Sequence, residues 1–234
     1  MLLDNEFGGD TVSDLAMAAK YFYAEGYKQK DVHRKVVELL IRCDPTANPV
    51  LMEKTIDRQV KRAAKRELVE IDYIPITKYE MERVDELPNR TIKKMAFSYL
   101  CVAKYFNLVN EYNNGWANLA LKDICSMGNV ALPVDRQFTM RGDLARMGYL
   151  QLSVVVDNIN ARVLFINDND DDVLHVTSMR DLGNQYFQYH GEPYVKCEMC
   201  GALVRKSGRR MLYCSACSRR VDYQKRTERY RNGR

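Results

Sequence analysis

Four cysteines near the C-terminus, Cys197-x-x-Cys200 and Cys214-x-x-Cys217, restrict what this chain can fold into more than any other feature. Each CxxC pair places two thiolates on one tight turn. Two such pairs separated by thirteen residues supply the four ligands of a closed tetrahedral zinc site, with no open position for catalysis. A redox dithiol would need only one of the pairs. Gly201 follows the first pair, and Lys206-Ser207-Gly208 reads as a hairpin tip between Leu203-Val204 and Met211-Leu212-Tyr213. A segment this short cannot bury enough apolar surface to fold alone, and a structural metal contributes about 10 kcal/mol to such pieces. The sequence therefore predicts a zinc ribbon.

Charge is concentrated around that ribbon. From Arg205 onward the chain carries Arg205, Lys206, Arg209, Arg210, Arg219, Arg220, Lys225, Arg226, Arg229, Arg231 and Arg234 against only Asp222 and Glu228. That is +9 in a chain of net +5, which leaves −4 for residues 1–204. A basic strip that begins on a metal-bound hairpin and continues into an Arg-rich helical tail is the footprint expected for a phosphate backbone. Tyr213, Tyr223 and Tyr230 are interleaved with it. A solvated tail, or one that binds an acidic protein, would have the same composition.

The other cysteines, Cys43, Cys101 and Cys125, sit singly in apolar helical patterns and read as buried thiols. Reduced cysteines together with zinc predict a cytosolic protein, in the cytoplasm of a bacterial host if the resemblance given below holds. No apolar run approaches the roughly 18 residues of a membrane span, and the opening residues lack the layout of a signal peptide.

Residues 88–170 form the second informative pattern. A long helix of period 3.6 follows Leu87-Pro88, carrying Ile92, Met95, Ala96, Tyr99, Leu100, Ala103 and Phe106. A short helix, about Ala120 to Met127, ends at Gly128-Asn129, and Pro133 opens a third helix whose inward residues are expected to be Val134, Phe138, Met140, Leu144 and Met147. Two β-rich runs, Tyr149 to Val156 and Arg162 to Ile166, flank Asp157-Asn158-Ile159-Asn160, which is hairpin chemistry. This order is that of a winged helix-turn-helix. The passage Asp143-Leu144-Ala145-Arg146-Met147-Gly148-Tyr149-Leu150 resembles the junction of recognition helix and wing in many winged-helix proteins. That placement makes Arg136, Gln137, Thr139, Arg141 and Arg146 the candidates for base and backbone contact, with Arg162 at the wing. Winged helices also serve as protein-docking modules, so the fold alone does not fix the ligand.

The N-terminal part, residues 1–87, reads as all-helical: Thr11 to Ala24, Gln29 to Arg42, and about Val50 to Leu68. The third of these carries Lys54, Arg58, Lys61, Arg62, Lys65 and Arg66 at helical spacing, a basic stripe or a plain solvated face. A short strand is expected over Val69 to Ile74, and Thr77 with Glu80 predicts a capping box.

Two resemblances extend this reading. Ala24-Glu25-Gly26-Tyr27, Arg42-Cys43-Asp44-Pro45 and Ile56-Asp57-Arg58 are similar to the helical C-terminal domain of some phage and plasmid primases. Arg180-Asp181-Leu182-Gly183-Asn184-Gln185-Tyr186, Tyr194 to Gly201 and Tyr213 to Cys217 with the basic helix resemble uncharacterised phage and prophage proteins of Gram-positive bacteria. The second resemblance implies a mobile-element origin and transfers no catalytic residues.

No catalytic constellation is legible. Asp168-Asn169-Asp170-Asp171-Asp172 lacks the alternation, the glycine and the terminal glutamate of an EF-hand, and reads as a polar loop. His33, His175 and His190 have no nucleophile pattern nearby, and no Gly-rich phosphate loop occurs. The expectation is a mainly α chain with small β elements (α+β): helical domain 1–87, winged helix 88–170, and a helix with zinc ribbon and basic tail over 171–234. It is expected to be non-catalytic. Its expected partner is nucleic acid, with duplex DNA favoured and RNA possible, bound through Arg136, Gln137, Arg141, Arg146 and Arg162 and through Arg209, Arg210, Arg219, Arg220, Lys225 and Arg226. The alternative is a phage-encoded inhibitor that occupies a host protein or nucleoprotein complex such as a CRISPR effector. Oligomeric state is left open.

Overall fold

The computed structural model describes residues 11–65, 68–155, 160–209 and 211–232, without the side chains of Arg229, Arg231 and Asn232. Arg66, Arg210, Arg234 and most of the expected wing turn (residues 156–159) lie outside the described residues. The chain divides into two compact units, Met1–Glu70 and Ile71–Arg234. It is mainly helical with small antiparallel sheets.

The first unit holds α1 (Thr11–Ala24), α2 (Gln29–Cys43) and α3 (Pro49–Ala63). Their apolar stripes meet in a core of Leu15, Ala19, Val32, Val36, Leu40, Ile56, Val60 and Ala63. Asn48 caps α3 by accepting from the Val50 amide at 3.0 Å, with Pro49 in the first turn where its missing N–H costs nothing. The helix ends at Ala63, short of the Leu68 that the pattern suggested.

The second unit begins with β1 (Ile74–Thr77), later than the strand expected over 69–74. β1 pairs antiparallel with β5 (Asp172–Val176), matching Ile74 to Val176 and Ile76 to Leu174. This pairing, with α4 (Lys78–Asp85) packed on the long helix that follows, places residues 71–87 in the second unit; the break falls after Glu70 and not at 87. Thr77 caps α4 with the full reciprocal box: its hydroxyl accepts from Glu80 N, and Glu80 Oε2 accepts from Thr77 N at 2.9 Å.

The long helix α5 (Arg90–Val109) is the centre of the second unit. Met95 through Ala103 are buried on every side, which is why its apolar stripe is so broad. β2 (Trp116–Ala117), α6 (Leu121–Met127), α7 (Val134–Arg146), β3 (Leu150–Leu152) and β4 (Ala161–Val163) follow. They form a three-stranded sheet in the order β2-β4-β3, with Trp116 opposite Arg162 and Leu150 opposite Val163. Of the five α7 residues expected to point inward, only Leu144 is buried. Met140 is partly covered, while Val134, Phe138 and Met147 are exposed because the core ends at the other side of the helix.

α8 (Leu182–Tyr189) docks where α5 meets α6. A Cβ on Gly183 would stand 2.2 Å from the Gly128 carbonyl oxygen, so this approach of α8 requires glycine at 183, while a Cβ on Gly128 would stand 2.3 Å from Ser98 Oγ of α5. The hairpin β6 (Tyr194–Lys196) with β7 (Leu203–Arg205), and the terminal helix α9 (Ser215–Asn232), complete the chain.

Candidate metal centre

The β6–β7 hairpin turns through the first cysteine pair. Cys197 N donates to Ala202 O at 2.9 Å, Gly201 N donates to Cys197 O at 2.8 Å, and Gly201 takes φ +69°, a conformation glycine adopts freely. The hairpin expected between Leu203-Val204 and Met211 to Tyr213 does not form: β7 pairs with β6, and residues 211–213 reach the first turn by a single bond from Glu198 N to Leu212 O. The second pair straddles the start of α9, with Cys217 in its first turn.

The four sulfurs converge within 4.8 Å of one another. Cys200 Sγ and Cys214 Sγ are 3.8 Å apart. Four thiolates around zinc at about 2.3 Å stand about 3.8 Å apart along a tetrahedron edge, so the spacing fits such an ion. Cys197 and Cys217 are buried, and Cys217 N points at Cys214 Sγ at 3.4 Å, the amide-to-sulfur support that stabilises a thiolate. Backbone amides, first that of Cys214, hold the Cys197 thiol down to about 6, and the Cys217 amide lowers Cys214. The neighbouring Cys214 side chain pushes Cys217 up to about 12. Four sulfurs this close cannot all ionise unaided, whereas a divalent cation takes all four as thiolates. Cys197, Cys200, Cys214 and Cys217 could thus hold a metal ion together.

Residues to which the sequence assigned no role at the cysteines fasten this cluster to the rest of the second unit. Arg180 Nη1 donates to Cys200 O at 2.6 Å, with Nη2 4.0 Å from Cys200 Sγ. Asp181, held in the left-handed region at φ +59°, accepts from Leu203 N at 2.8 Å and from Asn129 Nδ2 at 2.7 Å. Asn184 donates to Leu203 O at 2.8 Å and accepts from Lys94 Nζ at 2.9 Å. Arg90 forms an ion pair with Glu192, bonds Tyr194 Oη, and covers the Phe187 ring at 3.6 Å. The only sequence signal for these is the run Arg180 to Tyr186, which stands out for its resemblance and not for its chemistry.

Beyond Cys217, the described side chains of α9 are half-buried at most. Arg209, Arg219, Arg220, Lys225 and Arg226 are exposed and form no ion pair or hydrogen bond among the described residues. Tyr223 and Tyr230 are exposed as well.

The α7 candidates are more engaged. Arg136 is exposed. Gln137 is half-buried and donates its amide to Leu132 O at 2.8 Å. Arg141 is half-buried and sits over the Phe138 ring, and Arg146 pairs with Asp143. Thr139 bonds back to Asp135 O within the helix. Arg162 is clasped by Asn114, through Nε to the carbonyl at 2.8 Å and Nη2 to the side-chain oxygen at 2.6 Å. Lys54, Arg58, Lys61 and Arg62 of α3, with Lys65 just beyond it, line one shallow groove with Asp57.

The acidic loop is structural. Asp168 Oδ1 meets Lys104 Nζ at 2.8 Å, Asp170 Oδ2 accepts from Tyr79 N at 2.7 Å, and Asp172 opens β5. No helix among the described residues is long and apolar enough to cross a membrane. No family model, curated protein or solved structure matches the chain.

Proposed function

We propose that this chain is a non-catalytic nucleic-acid-binding protein, with duplex DNA as its favoured ligand, built on a central winged helix and a C-terminal zinc ribbon. The observation that carries the reading is α9. Its cations Arg219, Arg220, Lys225 and Arg226 are exposed and uncommitted, on a helix whose only buried described residue, Cys217, belongs to the cysteine cluster. A helix with no apolar face has no core to join, and a dense row of unpaired cations is what a phosphate backbone neutralises. The succession α5, β2, α6, α7, β3, β4 with the sheet order β2-β4-β3 supports the winged-helix assignment. On α7, Arg136 is exposed with no ion pair among the described residues, and Arg146 is exposed but paired with Asp143. A place in phage regulation or replication rests on the sequence resemblance alone.

A second reading, an inhibitor that docks on a host nucleoprotein complex, is favoured by one observation. Val134, at the start of α7, is 64% exposed, and Val154, beyond β3, is 95% exposed. Exposed apolar residues suit a protein surface better than a phosphate-lined groove.

The test is binding of the zinc-loaded protein to random duplex DNA, single-stranded DNA and RNA across a salt series, beside a variant ending at Cys217. Duplex binding that weakens steeply with salt supports the proposal, provided that truncation shrinks the slope by about 0.9 for each phosphate the tail would have neutralised. Absence of binding to any naked nucleic acid overturns it in favour of the host-complex reading.

A further inference from the structure

The first unit carries a second convergence of metal-ligating side chains, separate from the cysteines. Glu53 and Asp57 stand four residues apart on α3, so their carboxylates project from one side of the helix. α2 brings His33 against them, with Nε2 3.5 Å from Glu53 Oε1 and 3.4 Å from Asp57 Oδ1. All three donor atoms lie within 4.8 Å of one another. Gln29, Lys30 and Val60 complete the rim of the depression they share.

His33 Nε2 is the informative atom. It is sealed from solvent, yet it has no hydrogen-bond partner, although two carboxylates face it. A buried polar atom left without a partner costs about 1–3 kcal/mol, and such atoms call for an explanation. An N–H at Nε2 would aim at one oxygen. Here both oxygens stand at nearly equal distance, and neither makes a hydrogen bond. Ligands bound at about 2.1 Å to a tetrahedral zinc ion stand about 3.4 Å apart, which is the spacing of the imidazole nitrogen from each carboxylate. One imidazole with two carboxylates also suits a borderline divalent ion such as zinc, cobalt or manganese.

We propose that His33, Glu53 and Asp57 bind a divalent transition-metal cation, with the remaining coordination position open to water. The site ties α2 to α3. It also engages the only acid among the residues lining the basic groove of α3, so metal binding there leaves that groove wholly cationic. The proposal does not depend on the nucleic-acid reading.

The experiment is equilibrium dialysis of the full chain against zinc, with cobalt absorption in parallel. Two equivalents of zinc per chain are expected. The first cobalt equivalent should bring the thiolate-to-metal charge-transfer band, and the second should add visible ligand-field absorption without raising that band. Glu53→Gln/Asp57→Asn changes two side chains that are about half exposed, so it should fold as the parent does. It should weaken the second equivalent by more than the roughly 10- to 100-fold that loss of an outer-sphere partner brings, and leave the first untouched. His33→Ala should do the same, with far-UV circular dichroism as the folding control. A single equivalent in the parent protein, or a second equivalent that survives in either variant, overturns the proposal.

Discussion

Lys104 Nζ donates to both carboxylate oxygens of Glu80 at 2.9 Å, and the two side chains are 3% and 0% exposed. Glu80 also accepts from Thr77 N and Asn167 N, and Lys104 also meets Asp168, so both buried charges are fully partnered. The pair joins α4, α5 and the acidic loop. Lys104→Met should strand the Glu80 carboxylate and destabilise the chain by about 3–5 kcal/mol, while Lys104→Met/Glu80→Gln should recover part of the loss. Urea unfolding of the three proteins checks this, and a single-variant cost below about 1 kcal/mol would contradict it.

If the four cysteines hold a metal as proposed, chelation or Cys214→Ser should release β6, β7 and the start of α9 while α5, α6 and α7 stay folded, because Met95 to Ala103 draw no support from the sulfurs. Limited proteolysis should then cut between Tyr194 and Cys217, with protection of α5 amides retained. Loss of all helical signal would show that the cysteine cluster holds up the whole second unit.

Gly183→Ala is predicted to destabilise, since its methyl would stand 2.2 Å from a backbone oxygen that cannot turn away. The expected cost is about 1–3 kcal/mol, as for other overpacked contacts. Gly142→Ala, where nothing lies within 4 Å, is the matched control and should be neutral or slightly stabilising. Thermal melts of the pair distinguish a packing effect from a general effect of adding a methyl.

Arg90, through its hydrogen bond to Glu192, holds that carboxyl below its usual range. A depressed carboxyl contributes stability that is present above its unfolded pKa, about 4.3, and lost as pH falls through its folded value. Stability should therefore decline as the solution is acidified below about pH 4.5. In Arg90→Met the portion due to Glu192 should disappear, flattening the acid limb while lowering stability at neutral pH. Denaturation midpoints measured from pH 3 to 7 test the sign; an acid limb equally steep in the variant would assign the loss to other carboxyls.

Much of this fold is legible because its signals are local. Thr77 and Glu80 are three residues apart and announce their capping box; Leu15 to Ala19 and Val32 to Leu40 show a helical period; two CxxC turns mark the four cysteines that converge. What escapes depends on distant partners. Nothing in Ile74–Thr77 points to Asp172–Val176, and Lys104 reads as an ordinary helix cation until Glu80 is brought beneath it. Arg162 reads as a free wing cation because its tie to Asn114 depends on a left-handed turn 48 positions earlier. Periodicity turns the apolar residues of α7 inward because it shows a stripe and not what covers it. Only Leu144 meets the core.

The β1–β5 pairing also bears on how the chain is made. Ile74 and Ile76 leave the ribosome about a hundred residues before the strand that covers them. Until Val176 emerges, an apolar strand with open hydrogen-bonding edges waits without its mate, and such edges recruit other chains. At about 5–20 residues per second that wait lasts some 5–20 seconds. The vulnerable moment for this protein is therefore during synthesis, and it ends with the arrival of strand β5 rather than of the cysteines that follow.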